Sequence, residues 1–186
     1  MRVAGFTLIE TVMVLIIIAI VAAFVSPIIS TAVTSYDTTS RNVEVLTRMR
    51  YSLERMAREI RAVRRDPADN QAYDFATMTQ TKVDFCKPDN TRVSIEKPSA
   101  VSEVRLDYLS GIATTCTVSP STSLPLTDDV TSLSFSYCRI DGATCASASG
   151  ATVDRTNVAF IDMTLIITGS GTGAYTSTMR VDLRQP

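Results

Sequence analysis

From Thr11 to Ile29 the chain runs through 19 residues, of which only Thr11, Ser26 and Pro27 interrupt an apolar composition. As a helix this run rises about 28 Å at roughly 1.5 Å per residue, close to a bilayer hydrocarbon core of roughly 30 Å. A core helix of a soluble domain needs a polar side to show water, and this run has none. A cleaved secretory signal is a competing reading, with Arg2 as a thin basic leader and Val21-Ala22-Ala23 as a small-residue cleavage site. Two features oppose it: the apolar run continues past those alanines to Ile29, and Glu10 lies inside the apolar stretch. An acid at bilayer depth costs on the order of 2.5–3.5 kcal/mol, so Glu10 needs either a partner or a place near the helix end from which it reaches the interface.

Charge divides the chain into three segments. Residues 1–29 hold only Arg2 and Glu10, residues 30–66 hold eight Arg against five acids, and residues 67–186 hold nine basic and thirteen acidic residues. The sum is −1, so net charge makes no case for nucleic acid or an acidic partner. Histidine is absent, which excludes a Ser-His-Asp or Cys-His nucleophile, a histidine base and a histidine-ligated metal. No enzyme activity, cofactor or metal is expected.

Beyond the apolar run, Leu46, Met49, Leu53, Met56, Ile60 and Val63 recur at alternating spacings of three and four, with Val43 extending the stripe backwards. That spacing puts them on one face of a helix. Arg50/Glu54, Glu54/Arg58 and Arg55/Glu59 are four apart and suited to pairing along a solvated flank, at a few tenths of a kcal/mol each. The helix is expected to end near Asp66-Pro67, because the residue before a proline avoids helical backbone. Continuous from Phe6 to Arg64, it would run 59 residues, roughly 88 Å. The Arg cluster between Arg48 and Arg65 also suits DNA, but interleaved Glu residues dilute the field and no aromatic is spaced to stack bases, so DNA is not expected as a partner.

After Pro67 the chain changes to short alternating runs. Strands are expected at Lys82–Cys86, Arg92–Glu96, Val104–Leu109, Ile112–Val118, Val130–Cys138, Val158–Ile167 and Tyr175–Leu183. In the last, Met179, Val181 and Leu183 alternate with Arg180, Asp182 and Arg184, one buried face and one wet. Ser110-Gly111 suits a tight hairpin turn. The expected fold class is α+β, a long N-terminal helix packed on an antiparallel sheet. Gly169-Ser170-Gly171-Thr172-Gly173 looks like a phosphate loop, but a strand rather than a helix follows it, so it reads as a hairpin connection. Asp128-Asp129 and the Asp141-to-Asp154 loop lack the D-x-D-x-D-G spacing of a calcium loop and read as solvated turn acids.

Cys86, Cys116, Cys138 and Cys145 contain no C-x-x-C pair, which argues against zinc and thioredoxin-type chemistry. An even count beyond a membrane span suggests disulfides in an oxidising compartment; free thiols would be expected were the head cytoplasmic. Three pairings are possible, and the expected one closes the Arg139-to-Thr144 loop with Cys138–Cys145 and joins two strands with Cys86–Cys116.

Gly5-Phe6-Thr7-Leu8-Ile9-Glu10, behind a short leader with one Arg and ahead of the apolar run, resembles the type III signal of type IV prepilins and type II secretion pseudopilins. The resemblance covers the first thirty or so residues. It implies that prepilin peptidase cuts between Gly5 and Phe6 and methylates the new amine of Phe6. It also implies that Glu10 pairs with the N-terminal amine of a neighbouring subunit. An ammonium and a carboxylate, each costly alone in lipid, then compensate one another. Pro27 falls where many such pilins carry a helix-loosening proline, and locally a proline removes one backbone hydrogen bond and bends the helix.

Leu53-Glu54-Arg55-Met56-Ala57-Arg58-Glu59-Ile60-Arg61 resembles the corresponding stretch of larger minor pilins, including MshO-like proteins of mannose-sensitive haemagglutinin pili and J-type pseudopilins. The implied organisation is a leader (1–5), a transmembrane helix (6–29), an amphipathic stalk helix (30–66) and a β-rich periplasmic head (67–186). The implied function is that of a minor pilin or pseudopilin anchored in the bacterial inner membrane, with prepilin peptidase, other pilins and the pilus assembly machinery as partners. An adhesive or DNA-binding pilin on the same scaffold, and a plain single-pass periplasmic protein, are the alternatives.

Overall fold

The computed structural model describes residues 7–110, 122–139, 145–146, 155–169 and 173–183. Helix α1 (Leu8–Ile60) is followed by nine strands among the described residues. The chain divides into two compact units, Met1–Val43 and Glu44–Pro186.

In the first unit the Thr7 carbonyl accepts from the amides of Glu10 (3.1 Å) and Thr11 (3.3 Å), opening α1. The apolar residues that follow, Leu8 to Ile29, are exposed along their length, and this is a helix long and apolar enough to cross a membrane. Pro27 lies within α1 and no break in the helix is seen there. The Ser/Thr-rich segment beyond it is also helical, and its threonine hydroxyls donate to carbonyls one turn back, satisfying them within the helix: Thr31 to Pro27 (2.9 Å), Thr34 to Ser30 (3.1 Å) and Thr38 to Thr34 (2.9 Å).

In the second unit the last turns of α1 bury Met49, Leu53, Met56, Ala57 and Ile60. Leu46, expected on the same stripe, is exposed, while Val45 beside it is partly buried against the core; Val43, also expected there, is exposed in the first unit. The helix also ends earlier than Asp66. The amides of Ala62 and Val63 reach back only three residues, and the Arg64 amide donates to the Cys86 carbonyl (2.9 Å) while the Asp74 amide donates to the Arg64 carbonyl (3.0 Å). Pairing with the sheet takes over the backbone groups that a further helical turn would have used.

The expected single sheet is divided into two. Strands β1 (Phe75–Met78), β2 (Lys82–Cys86), β3 (Thr91–Glu96), β4 (Val104–Ser110) and β5 (Thr122–Thr127) form an antiparallel meander in chain order. Strands β6 (Val130–Arg139), β7 (Cys145–Ala146), β8 (Val158–Thr168) and β9 (Ala174–Asp182) form a second antiparallel sheet, ordered β7-β6-β8-β9. Between them the chain turns at Asp128-Asp129, where Asp129 takes a φ of 57° that acids tolerate better than most residues. Both sheets share one core: Val83, Phe85, Ile95 and Leu106 from the first meet Leu133, Phe135, Ile161, Met163 and Val181 from the second, together with the helix stripe.

Strands β2, β3, β4, β6, β8 and β9 lie where alternation places them, and Met179, Val181 and Leu183 face inwards as expected. Strand β5 was hidden by Pro125, which confines it to a sheet edge, and β1 and β7 are only four and two residues long. The expected strand Ile112–Val118, and Gly111 of the expected Ser110-Gly111 turn, lie outside the described residues.

Cys138 and Cys145 are joined by a disulfide and sit opposite each other in the β6–β7 pair. Cys86 is also disulfide-bonded, while Cys116, its expected partner, lies outside the described residues. Converting both Cys138 and Cys145 to Ala should lower head stability by about 2 kcal/mol, since so short a loop restricts the unfolded chain only modestly. The shift in urea midpoint of the full chain in detergent checks this, and an unchanged midpoint would show that the bridge contributes nothing to stability.

Candidate functional site

Gly5 and Phe6, the expected cleavage and methylation positions, lie outside the described residues. Glu10 is exposed in the first turn of α1, where free amides and the positive end of the helix dipole favour a carboxylate. Pro27 is exposed on the same apolar segment. This stretch presents one acid on an otherwise apolar surface, the arrangement that would draw a cationic partner in lipid.

The second unit holds a charged cluster that helical spacing alone did not reveal. Glu59 was expected on a solvated flank paired with Arg55; that pair forms at 3.1 Å, but Glu59 is only 5 % exposed. Its carboxylate accepts from the Tyr108 hydroxyl (2.8 Å) and from Lys87 Nζ (3.2 Å), and Arg55 Nη2 donates in turn to the Tyr108 hydroxyl (2.6 Å). Lys87 also stands over the Tyr108 ring, 5.9 Å from its centroid. Burial, and then the bond to Glu59, push the Tyr108 phenol above its usual range, and the bond to Tyr108 raises the Arg55 guanidinium. The cluster therefore ties helix α1 to β4 and to the chain following β2. Its ion pairs and hydrogen bonds hold these elements in place relative to one another.

The other arginines of α1 and its exit are largely committed. Arg41 pairs with Asp37 (3.0 Å), Arg48 with Asp128 (2.7 Å) and with Glu44, and Arg50 with Glu54 (2.9 Å). Arg64 pairs with Asp74 (2.8 Å) and bonds Asn90, and Arg65 lies over the Tyr73 ring and bonds the Gln71 carbonyl (2.8 Å). Glu54 serves Arg50, and Arg58, its other expected partner, has no ion pair among the described residues, nor has Arg61. Among the described residues, the cluster that suggested DNA thus keeps two exposed guanidinia, Arg58 and Arg61, that are not already paired within the chain.

Among the described residues, the remaining motifs show no site. The Gly169 amide donates to the Gly173 carbonyl (3.0 Å) between β8 and β9, a hairpin closure, and a Cβ on Gly169 would sit 2.7 Å from the Tyr175 ring. Asp128 is engaged by Arg48, and most of the Asp141-to-Asp154 loop lies outside the described residues. Asp162 comes within 3.5 Å of Cys138 Sγ, but sulfurs joined in a disulfide are not the thiolates a metal needs. Asp162 is held instead by Arg180 in a two-point pair of 2.7 and 2.8 Å.

Residues 1–26 match the family described as the prokaryotic N-terminal methylation motif. No curated protein matches the chain. The chain therefore carries a prepilin-like signal at its N-terminus, followed directly by a helix able to span a membrane.

Proposed function

We propose that this chain is a minor pilin or pseudopilin subunit, processed by prepilin peptidase between Gly5 and Phe6 and assembled into a type IV pilus or a type II secretion-like filament. The observation that carries the reading is the methylation motif over residues 1–26 running straight into the exposed apolar part of α1. In this reading the subunit waits in the inner membrane with its head in the periplasm. Glu10 then draws the methylated amine of the next subunit, and apolar helix surfaces pack against one another in place of lipid. Pro27 removes one helical hydrogen bond in that segment, which loosens it for packing. The resemblance of residues 53–61 to MshO-like minor pilins and J-type pseudopilins favours a minor over a major subunit. The role is structural, with no catalytic residue and no cofactor.

The intact mass of protein isolated from its native host tests this. Loss of Met1 to Gly5 with gain of one methyl group is the expected result. A full-length species, or one cut after Ala23, would refute it.

A further inference from the structure

Six of the eight arginines between residues 30 and 66 are paired or bonded within the chain; Arg58 and Arg61 are the two exposed without such a contact among the described residues. Both line the same groove, an open depression of about 590 Å³ formed with Glu54, Ala57, Ala62 and Met179. Met179 belongs to β9, the outermost strand of its sheet, so the groove runs between α1 and a sheet edge.

That edge differs from the others. Strand β1 has four residues and a bulge against β2, β7 has two residues, and β5 carries Pro125, all features that discourage further pairing. Strand β9 has nine residues, contains no proline and keeps one register with β8 along its whole length. The direction of its free groups follows from the two ends of the β8–β9 pairing. The Gly169 amide bonds the Gly173 carbonyl and the Leu183 amide bonds the Ala159 carbonyl, so the odd-numbered positions of β9 are those bonded to β8. The amides and carbonyls of Thr176, Thr178 and Arg180 point away from the sheet.

We propose that this edge and groove form a docking site for an extended acidic segment of another protein, added to β9 as a further strand. Alternate residues of such a strand lie about 6.7 Å apart, and Arg58 and Arg61 are about 4.5 Å apart along the helix axis, a difference their long side chains absorb. Two carboxylates two residues apart would then meet the two guanidinia while main-chain bonds to β9 supply the register. A second copy pairing β9 against β9 would bring four guanidinia together, which disfavours self-pairing. A nucleic acid would use the arginines and leave the strand edge idle. The site lies wholly within the Glu44–Pro186 unit, so the proposal goes beyond the filament reading and does not depend on N-terminal processing.

The test uses the full chain in detergent and a capped heptapeptide, Thr-Val-Glu-Val-Glu-Val-Thr, with NMR hydrogen exchange as the readout. Binding should slow exchange at Thr176, Thr178 and Arg180, and leave Ser177 and Met179, already bonded to β8, unchanged. Arg58→Glu with Arg61→Glu should weaken binding by about tenfold or more, as should Lys in place of both peptide glutamates. A proline at the central peptide valine should abolish binding. Thr178→Pro, which removes an outward amide and the hydroxyl contact with Thr164 but none of the main-chain bonds to β8, should weaken it with the groove charge intact. Failure of the peptide to bind, or binding without protection of β9, would overturn the proposal. So would a DNA duplex that binds through Arg58 and Arg61 where the peptide does not, or self-association of the chain through the same amides.

Discussion

Replacing Glu59 by alanine is expected to destabilise the head by about 3 kcal/mol, the largest effect anticipated for any charged residue of α1. The carboxylate is almost wholly buried and serves three donors, from Arg55, Lys87 and Tyr108. Removing it leaves two cations and a hydroxyl facing one another without their acceptor, and breaking buried pairs in this way costs about 3–5 kcal/mol. The low end applies because Arg55 and Lys87 keep 34 % and 23 % of their side-chain surface in water, where solvent offsets part of the loss. Glu59→Gln, which preserves an acceptor for Tyr108 but not the charge, should cost roughly half as much. Glu54→Ala is the control: its pair with Arg50 is exposed on both sides, so a change within about 0.5 kcal/mol is expected. The chain has no Trp, so tyrosine fluorescence in urea is the natural readout. Equal midpoints for the Glu59 and Glu54 variants would show that the cluster adds nothing to stability.

The second large effect is expected at the other end of α1. A Glu10→Gln chain should be made, inserted and folded like the wild type, yet enter filaments at no more than about a tenth of the normal level. Glutamine keeps the shape and a hydrogen-bonding carbonyl but loses the charge that offsets an ammonium in lipid. Glu10 is exposed in the first turn of α1, so the substitution is not expected to unsettle the fold. Membrane and sheared-filament fractions of cells carrying each variant, compared by immunoblot, separate insertion from assembly. Equal filament levels would remove the role assigned to Glu10 and leave the methylation motif without its assembly partner.

Comparison of two helical pairs shows how far local pattern reached. Arg50/Glu54 and Arg55/Glu59 have the same spacing and the same residue types, yet the side chain of Glu54 is 51 % exposed and that of Glu59 only 6 %. What separates them is Tyr108, 49 residues further along, and Lys87, 28 residues along. No window of sequence around the helix contains that information.

The apolar run after Glu10, the heptad-like spacing from Met49 to Ile60 and the alternation in β2, β6, β8 and β9 were determined by sequence alone, because each records a local period that water or lipid imposes on one element at a time. Tertiary structure decided where α1 stops, how the strands divide into two sheets, which carboxylate is buried and which two exposed arginines are left unpaired among the described residues. Those outcomes depend on which distant backbone and side-chain groups compete for the same partner. The Arg64 amide leaves the helix for the Cys86 carbonyl, and Arg64 and Arg65 leave the basic face for Asp74 and Tyr73, only because the folded sheet brings those groups within reach.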